Sequence, residues 1–356
     1  MPVPRLARHR AERPGRASIP GQPAVTSQAA AEIPDGSIGE RIWMRFAARR
    51  LSRLLVSLLV LVTAAFLMIH LIPGDPVRAA LGPTAPQSLV DARRQALGLD
   101  SPLWVQYGHY LWHLLSGDMG TSLTSGLPVA RVIGERLPAT LEIAGYAFAL
   151  AIAVAVPAGV IMAVATRGGR RRRGELAFTA MSAMFGAIPE FLLAVGLVYV
   201  FAVSLKWLPV ATRTGPASYL LPVLALALGP AAILARILRV EMLSVLEADY
   251  IRTARAKRLP ARLIYARHAL PNALTATITL AGLVLSSLVA GTVLVENVFA
   301  WPGLGSTIVA SILAKDYAVV QGIVLVYGAG VLLVNLAVDV ALALLDPRSA
   351  IGEAER

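Results

Sequence analysis

The sequence predicts an all-α integral membrane protein with six transmembrane helices, on three observations. Of its 356 residues, 56% are hydrophobic and 15% charged, and the mean hydropathy is +0.67. Soluble domains average about 25% charged residues because their surfaces face water, so most of this surface must face lipid. Six apolar stretches each reach the roughly 20 residues that a helix needs to cross a bilayer core. The 33 Lys and Arg residues cluster in alternate connections, as positive-inside topology requires. Continuous apolar runs favour helices over a barrel, whose strands alternate.

Taken in order, residues 1–43 are rich in Arg, Pro and Ala without apolar periodicity, and read as a disordered cytoplasmic extension. They lack an apolar stretch of roughly 7–15 residues that would mark a signal peptide. The spans are expected at about 54–74, 143–166, 176–205, 214–240, 271–295 and 317–344. The third carries Glu190 as its one charge and is read as a single long helix kinked at Pro189. Residues 75–142 form an extracytoplasmic region, in which Trp104, Tyr107, Tyr110 and Trp112 suit the headgroup level. Residues 350–356 are a cytoplasmic tail.

Ten basic residues precede the first span, five lie in the RGGRRRRGE link at 167–175, and eight lie from Arg236 to Arg267. The opposite side holds five in 75–142, two in 206–213 and Lys315 alone in 296–316. Both termini are therefore expected in the cytoplasm. The net charge of +12 follows from this topology, which removes nucleic acid as an expected partner. With no cysteine, there is no thiolate nucleophile or Cys-ligated metal. The three lysines, Lys206, Lys257 and Lys315, never follow Gly, so no phosphate-binding P-loop exists.

The most informative link is EADYIRTARAKRLPARLIYARHALPN, residues 247–272. Good helix formers run from Asp249, placed to cap the start, to Lys257. Leu259–Pro260 breaks the helix, and a second helix over about 261–269 leads to Pro271 at the first turn of the fifth span. Two short helices below the membrane make a docking knob, which suits a partner that supplies energy.

This stretch resembles the coupling-helix signature of permease subunits of ATP-binding-cassette importers, in the dipeptide, oligopeptide and nickel branch. Tyr250 to Lys257 matches the branch form YIRTARAKG, and His268-Ala269-Leu270-Pro271 stands in register. Arg258 occupies the place of the family's Gly, where a left-handed cap costs a non-Gly residue roughly 1 kcal/mol. Further matches extend from about Met44 to Ser349. They include Pro73-Gly74-Asp75-Pro76, Gly117-Asp118-Met119-Gly120 and Glu135-Arg136-Leu137-Pro138-Ala139-Thr140. Glu296, Phe299-Ala300-Trp301-Pro302-Gly303-Leu304-Gly305, Asp316-Tyr317, Gln321-Gly322 and Asp346-Pro347-Arg348 follow.

The resemblance implies a type I importer permease, with residues 44–349 as the six-span domain and coupling helices at about 247–269. It implies a second homologous permease, two cytoplasmic ATPase subunits, an extracytoplasmic substrate-binding protein and a peptide substrate. No catalytic residue and no cofactor or metal is expected in this chain; ATP and magnesium belong to the ATPases. Tyr250, Arg252, Thr253, Ala254, Arg255, Lys257 and Arg258 are the expected ATPase contacts. Ala254 would permit close helix approach, and the arginines would pair with partner carboxylates. The resemblance begins near Met44, so transport is expected to survive without residues 1–43.

Glu190 and Asn335 are candidates for the translocation path, since polar groups inside apolar spans are costly. Asn335 and Asp339, four apart, suit inter-helix hydrogen bonds. His109 and His113 also stand four apart but lack a third ligand. Arg236, Arg239 and Glu241 are explained by snorkelling and local pairing. A self-sufficient secondary transporter is the alternative, as are nickel-chelate or glutathione-like cargoes within the same family. The secondary transporter would require coupling-ion carboxylates in broken helices and repeats. A membrane-embedded hydrolase would require facing catalytic groups, and His70 near a helix end is the one intramembrane His.

Overall fold

The computed structural model describes residues 36–71, 76–82, 84–96, 98, 100–209, 213 and 215–345. Among them the chain is almost wholly helical. In order, α1 is Gly36–Leu71, α2 Pro76–Leu81, α3 Gln87–Ala96, α4 Leu103–Leu115, α5 Val129–Thr166 and α6 Arg172–Ala187. Then come α7 Glu190–Leu197, α8 Leu220–Glu247, α9 Asp249–Ala256, α10 Ala261–Leu263, α11 Leu270–Val298, α12 Leu304–Leu313 and α13 Tyr317–Leu345. π-helical turns prolong α7 through Val198–Ser204 and join α10 to α11 through Ile264–Ala269.

Among the described residues five helices are long and apolar enough to cross a membrane, and the bent pair of α6 and α7, taken as one span, is the sixth. That bend corrects the expectation of one kinked helix. α6 and the α7 segment meet at 97°. The cause is local: Ile188 precedes a proline, is pushed out of the helical region, and is extended at φ −77°, ψ 124°. Residues 36–43, read from composition as unstructured, begin α1; residues 1–35 and the 346–356 tail lie outside the described residues. α5 starts at Val129, so 129–142 is helix rather than extracytoplasmic loop. The run before the fifth span is continuous with it over Ala261–Val298. Pro271 cannot donate to the i−4 carbonyl, and the π-helical turns ahead of it open the ladder there. Only α9 therefore stands as a separate short helix in that link.

α8 is the most buried long helix, and α5 lies along it. The inward face of α5 repeats every fourth residue as Ile143, Ala147, Ala151, Ala155, Gly159 and Ala163. Without a water-driven force between helices in lipid, small residues win contact by letting backbones approach. At Gly159 a Cβ would stand 2.9 Å from the Ala235 carbonyl and 3.0 Å from Leu238 Cβ. α5 and α8 pack too closely for any side chain there.

Polar pairs fix the outer helices. Arg50 of α1 and Asp339 of α13 form an ion pair at 2.6 Å. α4 rests on α1, with Tyr107 sharing a 2.7 Å hydrogen bond with Thr63 and both tyrosine rings against Phe66. The aromatic run thus divides by side: Tyr107 and Tyr110 turn inward, while Trp104 and Trp112 are exposed. Burial pushes the Tyr110 hydroxyl up to about 12.

Candidate coupling surface and its supports

α9 is built as a short amphipathic helix. Ile251 and Ala254 are buried against Met242, Leu246, Ile264 and Ala269, whereas Tyr250, Arg252, Thr253, Lys257 and Arg258 are exposed. Asp249 supplies no side-chain cap. It is the first residue of the helix, accepting a 3.1 Å bond from Arg252, and its charge complements the positive helix end. The C-terminus closes as a Schellman motif. Arg258 N–H donates to the Arg255 carbonyl at 2.8 Å and Leu259 N–H to the Ala254 carbonyl at 3.3 Å. Leu259 packs back on Ala254. Closing the motif requires left-handed backbone after the cap, and Arg258 has φ +56°.

Two of the expected contacts face inward. Ala254 is 7% exposed, so its small size lets α9 seat on its own chain. Arg255 donates to the Leu246 carbonyl at 3.1 Å, tying α9 to the end of α8. Burial, with the charge of Arg167 nearby, holds its guanidinium below the usual value. The outward set is reduced to Tyr250, Arg252, Thr253, Lys257 and Arg258. Arg239 pairs locally as expected but does not snorkel. It is buried, donating to Thr166 Oγ1 at 3.0 Å and pairing with Glu175 at 2.6 Å, and so locks the ends of α5, α6 and α8 together.

At the opposite ends of the helices, residues scattered along the sequence form a hydrogen-bonded hub. Glu296, fully buried in the last turn of α11, accepts from Thr140 Oγ1 at 2.7 Å and from the N–H groups of Gly305 and Ser306 at 2.7 and 3.1 Å. Its carboxylate satisfies the orphan donors at the start of α12. Thr140 Oγ1 also accepts from Leu304 N–H at 2.8 Å, and the buried Trp301 indole donates to the Ala139 carbonyl at 3.0 Å. Beside it, Asp316 accepts from the hydroxyls of Ser122 and Thr124 at 2.5 Å each and from the N–H groups of Leu123 and Thr124. Burial would raise this carboxyl, but the four hydrogen bonds outweigh it and hold it below the usual carboxylate range. Sequence reading marked these motifs without a role. The available signal was a Glu at the end of an apolar run, followed by the turn-forming Trp-Pro-Gly.

The candidate path residues divide. Asn335 accepts a 2.9 Å hydrogen bond from Ser286 and joins α13 to α11, a packing role. Glu190 is half-buried at the start of α7 beside Gly291 of α11. His113 lies 3.2 Å from Asp118. Among the described residues no group of three or more His, Asp or Glu could hold a metal.

A bundle of apolar helices, one broken span and a projecting basic helix define a polytopic membrane transport subunit. The chain belongs to the binding-protein-dependent transport family. Residues 155–351 match the inner membrane component, and residues 43–144 match the N-terminal membrane component. It is 38% identical over 305 residues to the glutathione transport system permease protein GsiC of Pectobacterium atrosepticum and to that of Salmonella typhimurium, covering 85% of this chain and 98% of each relative. The inward-facing MetNI methionine ABC transporter shares the fold at a TM-score of 0.51 and 21% identity, over 60% of this chain and 96% of that one. The protein is a permease subunit of an ABC importer of the dipeptide and oligopeptide branch, embedded in a bacterial inner membrane. It is a transport component and not an enzyme.

Proposed function

We propose that this chain forms half of the translocation path of an ATP-driven importer of short peptides, glutathione among them. A second permease supplies the other half, and an extracytoplasmic binding protein delivers the cargo. Two cytoplasmic subunits bind ATP and magnesium, and grip the permeases from below. Both termini face the cytoplasm, which puts the link at 167–175 and α9 on the ATPase side and the Glu296 hub on the delivery side. The observation that carries the reading is α9 itself. It is a separate helix, locked to its own chain by Ile251, Ala254 and Arg255, that offers Tyr250, Arg252, Thr253, Lys257 and Arg258 outward. Likeness to the glutathione permeases over nearly their whole length supports the cargo class.

The docking is electrostatic and steric: arginines pair with partner carboxylates bidentately, while the inward face of α9 passes force to α8 and α11. The test is reconstitution with the partner subunits in proteoliposomes. Uptake of labelled glutathione and of alanyl-alanine should require ATP, the ATPases and the binding protein together. Uptake driven by an ion gradient without the ATPases would establish the secondary-transporter alternative, and uptake of nickel chelate alone would change the cargo.

A further inference from the structure

Among the described residues, Glu190 is an acid deep within a span that is left without a partner; Glu241 and Glu247 also lack one, but they sit in the last two turns of α8. Glu142 is held by Arg213 and Tyr219, Glu175 by Arg239, Glu296 by Thr140 and two backbone donors, and Asp339 by Arg50. No hydrogen bond or ion pair reaches the Glu190 carboxylate among the described residues. It stands at the 97° break of the third span, half-buried. Its carboxylate lies so close to Gly291 that a side chain there would occupy the same space. Gly291 is seven residues from the Val298 end of α11, about 10 Å at the helical rise. The carboxylate is thus in the half of the membrane nearer the Glu296 hub. The neighbouring exposed stripe of α11 carries Ser287 and Ala290 between Leu283 and Leu294, polar and small enough to border a passage.

An ionised carboxylate against lipid costs about 2.5–3.5 kcal/mol even on the mildest scales, so the open side of Glu190 must meet water or a cation. The span is broken at this residue, and Gly291 leaves room for the carboxylate alone. We propose that Glu190 is the counter-charge that binds the ammonium group of the peptide cargo as it enters the path. This rests on the reading of the chain as a peptide importer. An ammonium is the group that dipeptides, longer peptides and glutathione share, and a half-buried carboxylate with unfilled lone pairs is its natural acceptor.

The absence of cysteine from the chain makes charge replacement at this position clean. The complex carrying Glu190→Cys, reconstituted with ATPases and binding protein, is treated with sulfonatoethyl or aminoethyl methanethiosulfonate, and the unsubstituted complex receives the same reagents as a control. Glutathione and alanyl-alanine uptake should fall about tenfold in Glu190→Gln and Glu190→Cys, the value of one charge-assisted hydrogen bond. Glu190→Asp should recover part of it. Read with alanyl-alanine alone, because the thiol of glutathione would exchange with the mixed disulfide and strip the adduct, the sulfonate adduct should restore uptake several-fold and the ammonium adduct should not. Wild-type uptake by Glu190→Gln overturns the proposal, as do equal effects of the two adducts or a thiol that neither reagent reaches. Failure of the unsubstituted complex to import either peptide instead defeats the importer reading on which this rests.

Discussion

Thr140 donates its hydroxyl hydrogen to Glu296 at 2.7 Å across 156 positions of the chain. One atom pair therefore joins the first half of the bundle to the turn that launches α12. Because Thr140 Oγ1 also accepts the Leu304 N–H, the two residues share the capping of one helix.

Glu296→Ala should be among the most destabilising single substitutions. It strands the N–H groups of Gly305 and Ser306 and the Thr140 hydroxyl in a buried site, at about 1–3 kcal/mol for each unsatisfied group. Thermal unfolding in detergent should show a drop of several degrees, and Thr140→Val a smaller one. Unchanged unfolding in Glu296→Ala would refute the hub.

Arg258→Gly should stabilise the end of α9. Arg258 has φ +56°, a left-handed conformation that costs a residue with a Cβ about 1 kcal/mol and glycine almost nothing. Hydrogen exchange over 254–260 should slow about fivefold, taking that energy with RT of about 0.6 kcal/mol. Faster exchange would count against the Schellman closure.

Ala254→Glu and Lys257→Glu should fail differently. Ala254 is buried among apolar neighbours, so a carboxylate there unseats α9 and costs several kcal/mol; the variant should lose both local protection and uptake while remaining inserted. Lys257 is exposed, and its reversal should weaken copurification with the ATPases at unchanged unfolding temperature. Wild-type uptake by Ala254→Glu would exclude α9 as the transmitting element.

Asp316 gives the end of the bundle that holds the Glu296 hub an acid limit. Its folded-state carboxyl is held below the unfolded value, so its stabilisation is complete above the unfolded pKa near 3.9. It is lost as pH falls further, through the lower folded value. Asp316→Asn should cost stability at pH 7 but converge toward the parent below about pH 4. A constant difference between the two across pH 3–7 would refute the assignment.

Much of this protein was legible in its sequence because the relevant physics is local. Apolar runs long enough for a bilayer declare themselves without reference to neighbours. The left-handed residue at 258 could likewise be anticipated, since the helix from Asp249 must end before Leu259–Pro260 and the motif there calls for glycine. What contiguous residues cannot show is which side of a short helix finds cover. Ala254 and Arg255 had the residue types of a contact surface, but the π-helical turns before α11 and the end of α8 bury Ala254, and the Leu246 carbonyl holds Arg255, so their face was set by elements on either side of α9. The break at Ile188–Pro189 was visible as a proline, but its 97° angle was not, because a proline marks where a helix stops and leaves the direction of the next one open. The hubs at Glu296 and Asp316 lay further out of reach. Thr140 is 156 positions from Glu296, and Ser122 is 194 from Asp316. A buried carboxylate is stable only where distant donors converge on it, and that convergence exists once the helices have assembled.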